Sequence, residues 1–163
     1  MIKKQFRKES DSMGQMSVPK DALYGAQTAR AVENFPISKL RFNRSFIEAL
    51  GVIKFSAAKA NLSLKLITGD VGNSIMKAAN EVISGKHDSE FVVDIFQTGS
   101  GTSSNMNANE VISTLANKFI KGKTKVHPND HVNLCQSSKD VIPTAMYISV
   151  YSLILNSLVP NLK

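Results

Sequence analysis

Three stretches of this chain combine residue types at spacings that can do chemistry. In Gln97-Thr98-Gly99-Ser100-Gly101-Thr102-Ser103-Ser104-Asn105, two glycines permit close backbone approach and positive φ. The hydroxyls of Ser100 and Thr102 supply donors. The stretch feeds a helix start, where backbone N–H groups and the helix dipole favour an anion such as a carboxylate. A helix-capping loop that binds nothing satisfies the same pattern. It is not a P-loop, because no Gly-Lys-Ser/Thr follows. The helix behind it carries Asn105, Asn107, Asn109 and Glu110. Asn is a weak helix former, so these side chains are expected to brace the loop, line a polar cavity, or act as caps and buried structural hydrogen-bonders. Asn105 and Asn109 share a face.

The second stretch runs from Val126 through His127-Pro128-Asn129-Asp130 to His131. His127 reads as a general base or an anion ligand. It reads equally as part of a turn held by the Asn and Asp side chains. The proline between His127 and His131 argues against a shared helix face, and no HExxH is present, so no metal site is expected. The third stretch is Gln136-Ser137-Ser138-Lys139-Asp140, where two hydroxyls and an amide can hold a carboxylate or simply cap the helix that follows. Serine-nucleophile chemistry is disfavoured by the lack of a GxSxG elbow.

The elements that must position these groups follow from composition and periodicity. A chain of 163 residues suffices for one domain with a real core, or one domain and the start of another. With no Trp and 7% aromatic residues, a sandwich or barrel is disfavoured and a mainly helical fold is expected. The net charge of +7 reads as a soluble basic surface or as a field that draws small anions. Its Lys and Arg residues are dispersed and not set beside aromatics, which argues against nucleic-acid binding. Cys135 has no internal disulfide partner, fits a reducing compartment, and is expected to be buried. No apolar segment follows the charged start, so no secretory signal is expected. The apolar run from Ala145 to Val159 is broken by Ser149, Ser152, Asn156 and Ser157 and is short for a bilayer, so a cytoplasmic protein without a membrane span is expected.

Ser10-Asp11-Ser12-Met13-Gly14 is rich in turn formers, which places Phe6 and Val18 on two strands of a hairpin. The spacing predicts a helix capped by Asp21 that runs through Leu23, Ala26, Ala29 and Val32 and ends before Pro36. A longer helix is predicted over about 45–67, with Phe46, Leu50, Ile53, Ala57, Ala60, Leu64 and Ile67 as its apolar stripe and Gly69 as its stop. Asp70 is expected to cap the next helix, which carries Val71, Ile75, Ala78, Ala79 and Val82 and ends at Gly85. Phe91–Phe96 reads as a strand or a buried extended segment. Helical spacing resumes near Asn105 and runs to Ile120, with Gly122 as its stop. Pro143 is placed in the first turn of a last helix that is apolar almost all round. Such a helix must be buried against several neighbours. The chain is therefore expected to stop just inside a helical bundle completed downstream or by other subunits.

Taken together and in this order, these segments resemble the fumarase/aspartase superfamily. Its QTGSGT-x-x-NMN-x-NEV pattern is met by Gln97 to Val111, and its HPND-x-VN-x-x-QSSND-x-x-PTA pattern by His127 to Ala145 with one exception. The stretch from Tyr24 to Ser38, YGAQTARAVENFPIS, also fits, so the resemblance covers nearly the whole chain. Thr98-Gly99-Ser100, His127-Pro128 and Ser137-Ser138 look like class II fumarase, where aspartases tend to a GGAGT-like loop, Asn-Pro and Ser-Thr.

The resemblance implies the N-terminal helical domain of that fold over 1–138, with a possible small β-hairpin, and the first helix of its central bundle over 139–163. It implies reversible hydration of fumarate to L-malate in the tricarboxylic acid cycle, with no metal or organic cofactor. A base removes a proton next to one carboxylate, and donors stabilise the resulting aci-carboxylate. Carried over by position, Ser100, Gly101, Thr102, Ser137, Ser138 and Lys139 bind the dicarboxylate substrate. His127, Pro128, Asn129 and Asp130 form a second anion site. The family site is assembled from three subunits of a homotetramer, without nucleic acid or membrane.

Two departures matter. The family Asn after the paired serines is Lys139 here, which offers only donors and a charge. Lys139 is expected to weaken turnover. The family's catalytic His region and its GSSxMPxKxNP loop are not found in these residues, so no catalytic residue is assigned in this chain and the 163 residues alone are expected to be inactive. An aspartate ammonia-lyase is the alternative within the superfamily. A non-catalytic paralogue or interaction module is the alternative outside enzymes.

Overall fold

The computed structural model describes residues 5–120 and 124–162. Strands β1 (Phe6–Asp11) and β2 (Gly14–Pro19) pair antiparallel, with Phe6 opposite Pro19 and Asp11 opposite Gly14. Gly14 turns the hairpin at a φ of 117°, which a side chain would resist. The Asp11 carboxylate accepts the Met13 N–H at 2.9 Å and so braces the turn. Five longer helices follow: α1 (Ala26–Asn34), α2 (Arg44–Ser63), α3 (Gly69–Ile83), α4 (Thr102–Phe119) and α5 (Ser138–Leu153). A wide turn, Ile154–Leu158, carries α5 into the short α6 (Val159–Leu162). The mainly helical fold with one small hairpin is as expected.

The packing centres on α4. Helices α1 and α3 lie against it, α2 packs between α3 and α5, and the main core draws on Leu50, Ile75, Val82, Val111, Ile112 and Val141. A smaller core of Met16, Val18, Ala26 and Ala29 fixes the hairpin to α1. Arg30 clamps the same join, giving two hydrogen bonds to the Asp11 carboxylate at 2.7 and 2.9 Å.

Several boundaries differ from the sequence expectation, each for a tertiary or capping reason. Helix α1 starts at Ala26 and not from an Asp21 cap, because the Glu110 carboxylate of α4 takes its leading N–H groups. Helix α2 is capped by Asn43 and ends at Ser63, well before Gly69. There Lys65 turns left-handed at a φ of 59°, and the Leu66 N–H reaches back to the Asn61 carbonyl. Its buried face is Phe46, Ile47, Leu50, Lys54, Ala58 and Asn61, while Ala60 and Leu64 of the expected stripe are exposed. Thr68, not Asp70, precedes α3, and Asp70 lies in its first turn. Gly85 does end α3, at a φ of 79°.

Phe91–Phe96 forms no strand: Phe91, Val93 and Asp94 are buried, but the backbone bends from Ile95 and leaves Phe96 exposed. Helix α4 starts at Thr102 and closes at Phe119; the predicted stop at Gly122 lies outside the described residues. Pro143 sits inside α5 and not at its start, because Ser137 caps the helix through its own side chain, accepting the Lys139 N–H. Cys135 is exposed, not buried, in a left-handed turn at a φ of 60°.

The helical run Ser138–Leu162 spans 25 residues and holds an 18-residue window of mean hydropathy 1.5, long and apolar enough to cross a membrane, whereas the shorter run read from sequence was not. Its N-terminal half buries Val141, Ile142, Ala145 and Ser149 in this fold, and the Ser149 hydroxyl donates to Ser45 Oγ on α2 at 3.0 Å. Its C-terminal half leaves Val150, Tyr151, Leu155 and Leu158 exposed, and Tyr147 is exposed just before it.

Candidate active site

Helix α4 is buried on nearly every side from Ser103 to Ser113, yet seven of those eleven residues are polar. A buried polar helix is stable only if its side chains find partners. Asn107 binds the extended segment before the loop, accepting the Val92 N–H at 3.1 Å and donating to the Glu90 carbonyl at 2.9 Å. Glu110 accepts the N–H groups of Gly25, Gln27 and Thr28 at 2.8, 3.0 and 3.1 Å. Three amides at a helix start match a carboxylate in charge and in lone pairs. Asn109 Oδ1 and Thr28 Oγ1 are buried without a protein partner.

The glycine loop is built into this helix. Gly101 caps α4 at a φ of 66° and a ψ of 20°, and a Cβ there would lie 2.8 Å from the Ile142 side chain of α5. Glycine therefore answers both a left-handed backbone and a close approach. Gln97 folds its carboxamide over the helix start, accepting the Ser104 N–H at 2.9 Å and donating to Ser104 Oγ at 2.7 Å. Asp94 anchors the preceding segment through the N–H groups of Ser38 and Phe96 at 2.6 and 2.9 Å. Burial opposes its charge, but these donors outweigh it and hold its carboxyl below the usual range. The hydroxyls of Ser100 and Thr102 bond to each other at 2.9 Å at the exposed end of the loop.

The loop and the paired-serine segment meet inside one chain, and the group that joins them is Lys54. Its side chain is fully buried, and its Nζ donates to Asn105 Oδ1 at 2.8 Å, Asn133 Oδ1 at 3.0 Å and Gln136 Oε1 at 2.9 Å. Loss of water around the ammonium lowers its pKa to about 7. With its oxygen turned to Lys54, Asn105 points its Nδ2 to Asn133 Oδ1 at 3.1 Å and to Ser138 Oγ at 3.4 Å. Sequence reading missed Lys54. Its signal is a lysine in register with Ile47, Leu50, Ala58 and Asn61 on the buried face of α2.

The remaining site residues fall into two places. Ser137 and Lys139 are exposed and Ser138 half-buried at the start of α5, near Gly101 and Asn105. His127 and Pro128 begin a wide turn elsewhere, over Pro128–Val132. Asp130 gives its N–H to His127 Nδ1 at 3.2 Å, and His127 gives its own to His131 Nδ1 at 2.8 Å. His127, Pro128 and Asn129 border a cavity of about 500 Å³, beside Glu9, Gly25 and Thr114. Thr114 is twelve residues along α4 from Thr102, roughly 18 Å at the rise of an α-helix. The turn and the glycine loop are therefore distinct sites on one helix. Among the described residues, no cluster of three or more His, Cys, Asp or Glu side chains is placed to hold a metal ion.

Comparison with known proteins places this geometry. A family model described as lyase matches residues 14–163. A class II fumarate hydratase of Halobacterium salinarum is 55% identical over 161 residues, which cover 97% of this chain and 34% of that protein. One from Xylella fastidiosa is 57% identical over 97% of this chain and 33% of its own length. An aspartate ammonia-lyase from a Bacillus species is 50% identical over 96% of this chain and 34% of its length. Among solved structures, recombinant class II fumarase from Schistosoma mansoni superposes with a TM-score of 0.87 at 42% identity, over 92% of this chain and 33% of that one. The chain thus spans about a third of the length of the curated relatives it matches. With the family model covering the second hairpin strand, the glycine loop, the His127 turn and the paired serines alike, this chain belongs to the lyase family.

Proposed function

We propose that this chain is the N-terminal part of a class II fumarate hydratase, which in its full length interconverts fumarate and L-malate. The observation that carries the reading is the junction of the glycine loop with the paired serines. The N-termini of α4 and α5 come together there, with the Lys54 ammonium behind them. Two helix dipoles and a buried cation make a positive field suited to a dianion. Ser138 Oγ accepts from Asn105, which leaves its O–H free to donate to a substrate carboxylate. Ser100, Thr102, Ser137 and Lys139 complete the donor set, and the His127–Asp130 turn serves as a second anion site. Proton removal falls to a base outside these residues, so the segment binds and orients substrate without turning it over alone.

The whole enzyme is read as a cytoplasmic homotetramer of the tricarboxylic acid cycle, needing no metal or organic cofactor. Residues 139–163 begin its central bundle, which covers the exposed apolar face of α5. The test is malate formation from fumarate by the full-length protein. No hydration, with ammonia released from aspartate, would instead establish the aspartate ammonia-lyase reading that the Bacillus relative favours. Lys139→Asn in that protein is expected to raise turnover; equal rates would mean that the lysine does not impair the site.

A further inference from the structure

Lys54 plays no part in the donor set just described, yet it is the largest fully buried side chain among the described residues. Burying an ammonium costs several kcal/mol unless every proton on it is matched. Here each of its three protons has an amide oxygen within 3.0 Å, from two separate segments: α4, and the loop that leads into α5. We propose that Lys54 is the positioning residue of the anion site: by fixing which way the Asn105 amide faces, it sets the Ser138 hydroxyl to act as a donor.

The argument runs through donor and acceptor inventories. An Asn side chain has one oxygen and one NH2, and either can face a neutral partner. An ammonium has only donors, so it turns the oxygens of Asn105, Asn133 and Gln136 inward. The NH2 groups must then point away. Asn105 Nδ2 meets Asn133 Oδ1 and Ser138 Oγ, Asn133 Nδ2 meets the Gln136 carbonyl at 3.2 Å, and Gln136 Nε2 meets the Val132 carbonyl at 2.9 Å. Ser138 thereby receives a hydrogen bond and has its own proton to spare. Were the Asn105 amide reversed, Ser138 would give that proton to the amide oxygen and turn a lone pair toward the ligand, which repels a carboxylate. Lys54 acts on substrate only through these side chains, so it is a positioning residue and not a catalytic one. The inference rests on the reading that the paired-serine segment binds a dicarboxylate.

The test uses the full-length protein carrying this chain at pH 6.5, where Lys54 holds its third proton, and succinate, a dicarboxylate with no double bond to hydrate, as the calorimetric probe. Asn105→Asp keeps an oxygen on Lys54, and with it the fold, but removes the NH2 that faces Ser138. It is expected to weaken succinate binding by about 10- to 100-fold, the scale of one lost hydrogen bond to a charged group. Ser138→Ala is expected to do the same. The double variant is expected to be no worse than either, because both remove the same donor. A merely structural Asn105 would give effects that multiply in the double variant. That outcome, or wild-type affinity in Asn105→Asp, overturns the inference while the functional reading stands. Failure of the wild-type protein to bind succinate overturns the functional reading, and the inference with it. Lys54→Gln, expected to bind succinate more weakly still, serves as the second variant; unchanged affinity there also overturns the inference.

Discussion

Glu110 Oε2 on α4 accepts the backbone N–H of Gly25 at 2.8 Å, across 85 positions of sequence. The same carboxylate takes the N–H groups of Gln27 and Thr28, so the start of α1 is capped by a residue of another helix. A Cβ on Gly25 would lie 2.7 Å from Glu9 Oε2 and 2.9 Å from Glu110 Oε1, which explains why glycine precedes α1 although its φ is not left-handed. The hairpin, α1 and α4 are therefore welded at one point.

Removing that carboxylate leaves three amides without their acceptor. Glu110→Ala is expected to destabilise the fold by about 3 kcal/mol, the scale of lost hydrogen bonds to a buried charged group. Glu110→Gln is expected to cost less, because one amide oxygen remains to accept. Urea denaturation of both variants measures the difference; equal stability of Glu110→Ala and wild type would contradict the capping role.

Gly101→Ala tests the glycine loop. A left-handed alanine costs about 1–2 kcal/mol by backbone strain alone. The added methyl also meets Ile142 at 2.8 Å, so the loop must move off α5. Succinate affinity is expected to fall by more than the stability does, as read by calorimetry beside thermal denaturation. Pairing the change with Ile142→Ala, which removes the Cγ1, Cγ2 and Cδ1 atoms that the methyl would meet, is expected to recover part of the affinity, because the contact, unlike the strain, is relieved.

The pH dependence of stability should carry the mark of Lys54. Unfolded, the lysine keeps its proton to about pH 10.5, and folded only to about 7. Between those values the unfolded chain binds the extra proton, so this group makes the fold more stable as pH rises from 7 toward 10.5. The gain is on the order of a few kcal/mol in all. Denaturant midpoints of wild type and Lys54→Gln, measured at pH 6.5 and 9, should differ in slope, with the upward trend weaker in the variant. Parallel curves would place the lysine's titration outside this range.

The far half of the last helix should drive association. Tyr151 and Leu158 are 66% and 52% exposed on an apolar surface that continues through Val150 and Leu155. Contiguous apolar patches of this kind are characteristic of interfaces. Sedimentation of the 163-residue chain is expected to show self-association, and Tyr151→Lys with Leu158→Lys is expected to shift it toward monomer. A wild-type chain that stays monomeric at high concentration would count against a covered face.

Much was legible before the fold was known. The turn formers from Ser10 to Gly14 place the hairpin, and the spacing of Val71, Ile75, Ala78 and Val82 places α3 with its buried face. These features are local: a strand alternates every two residues and a helix repeats every 3.6, so neighbours in sequence suffice to read them. The long glycine and serine blocks carried the family resemblance for the same reason, as contiguous strings.

What the tertiary structure decided lies wherever a polar residue is buried. Lys54 and Asn61 on the inner face of α2 broke the apolar stripe, so the stripe drawn from hydrophobicity alone was rotated toward Ala60 and Leu64. The start of α1 depended on a carboxylate from α4. A sequence shows which side chains have hydrogen-bonding capacity. Whether that capacity is spent on water or on a distant segment depends on which surfaces the packed helices bring together, and an ammonium is tolerated inside this protein only because the fold places three amide oxygens around it.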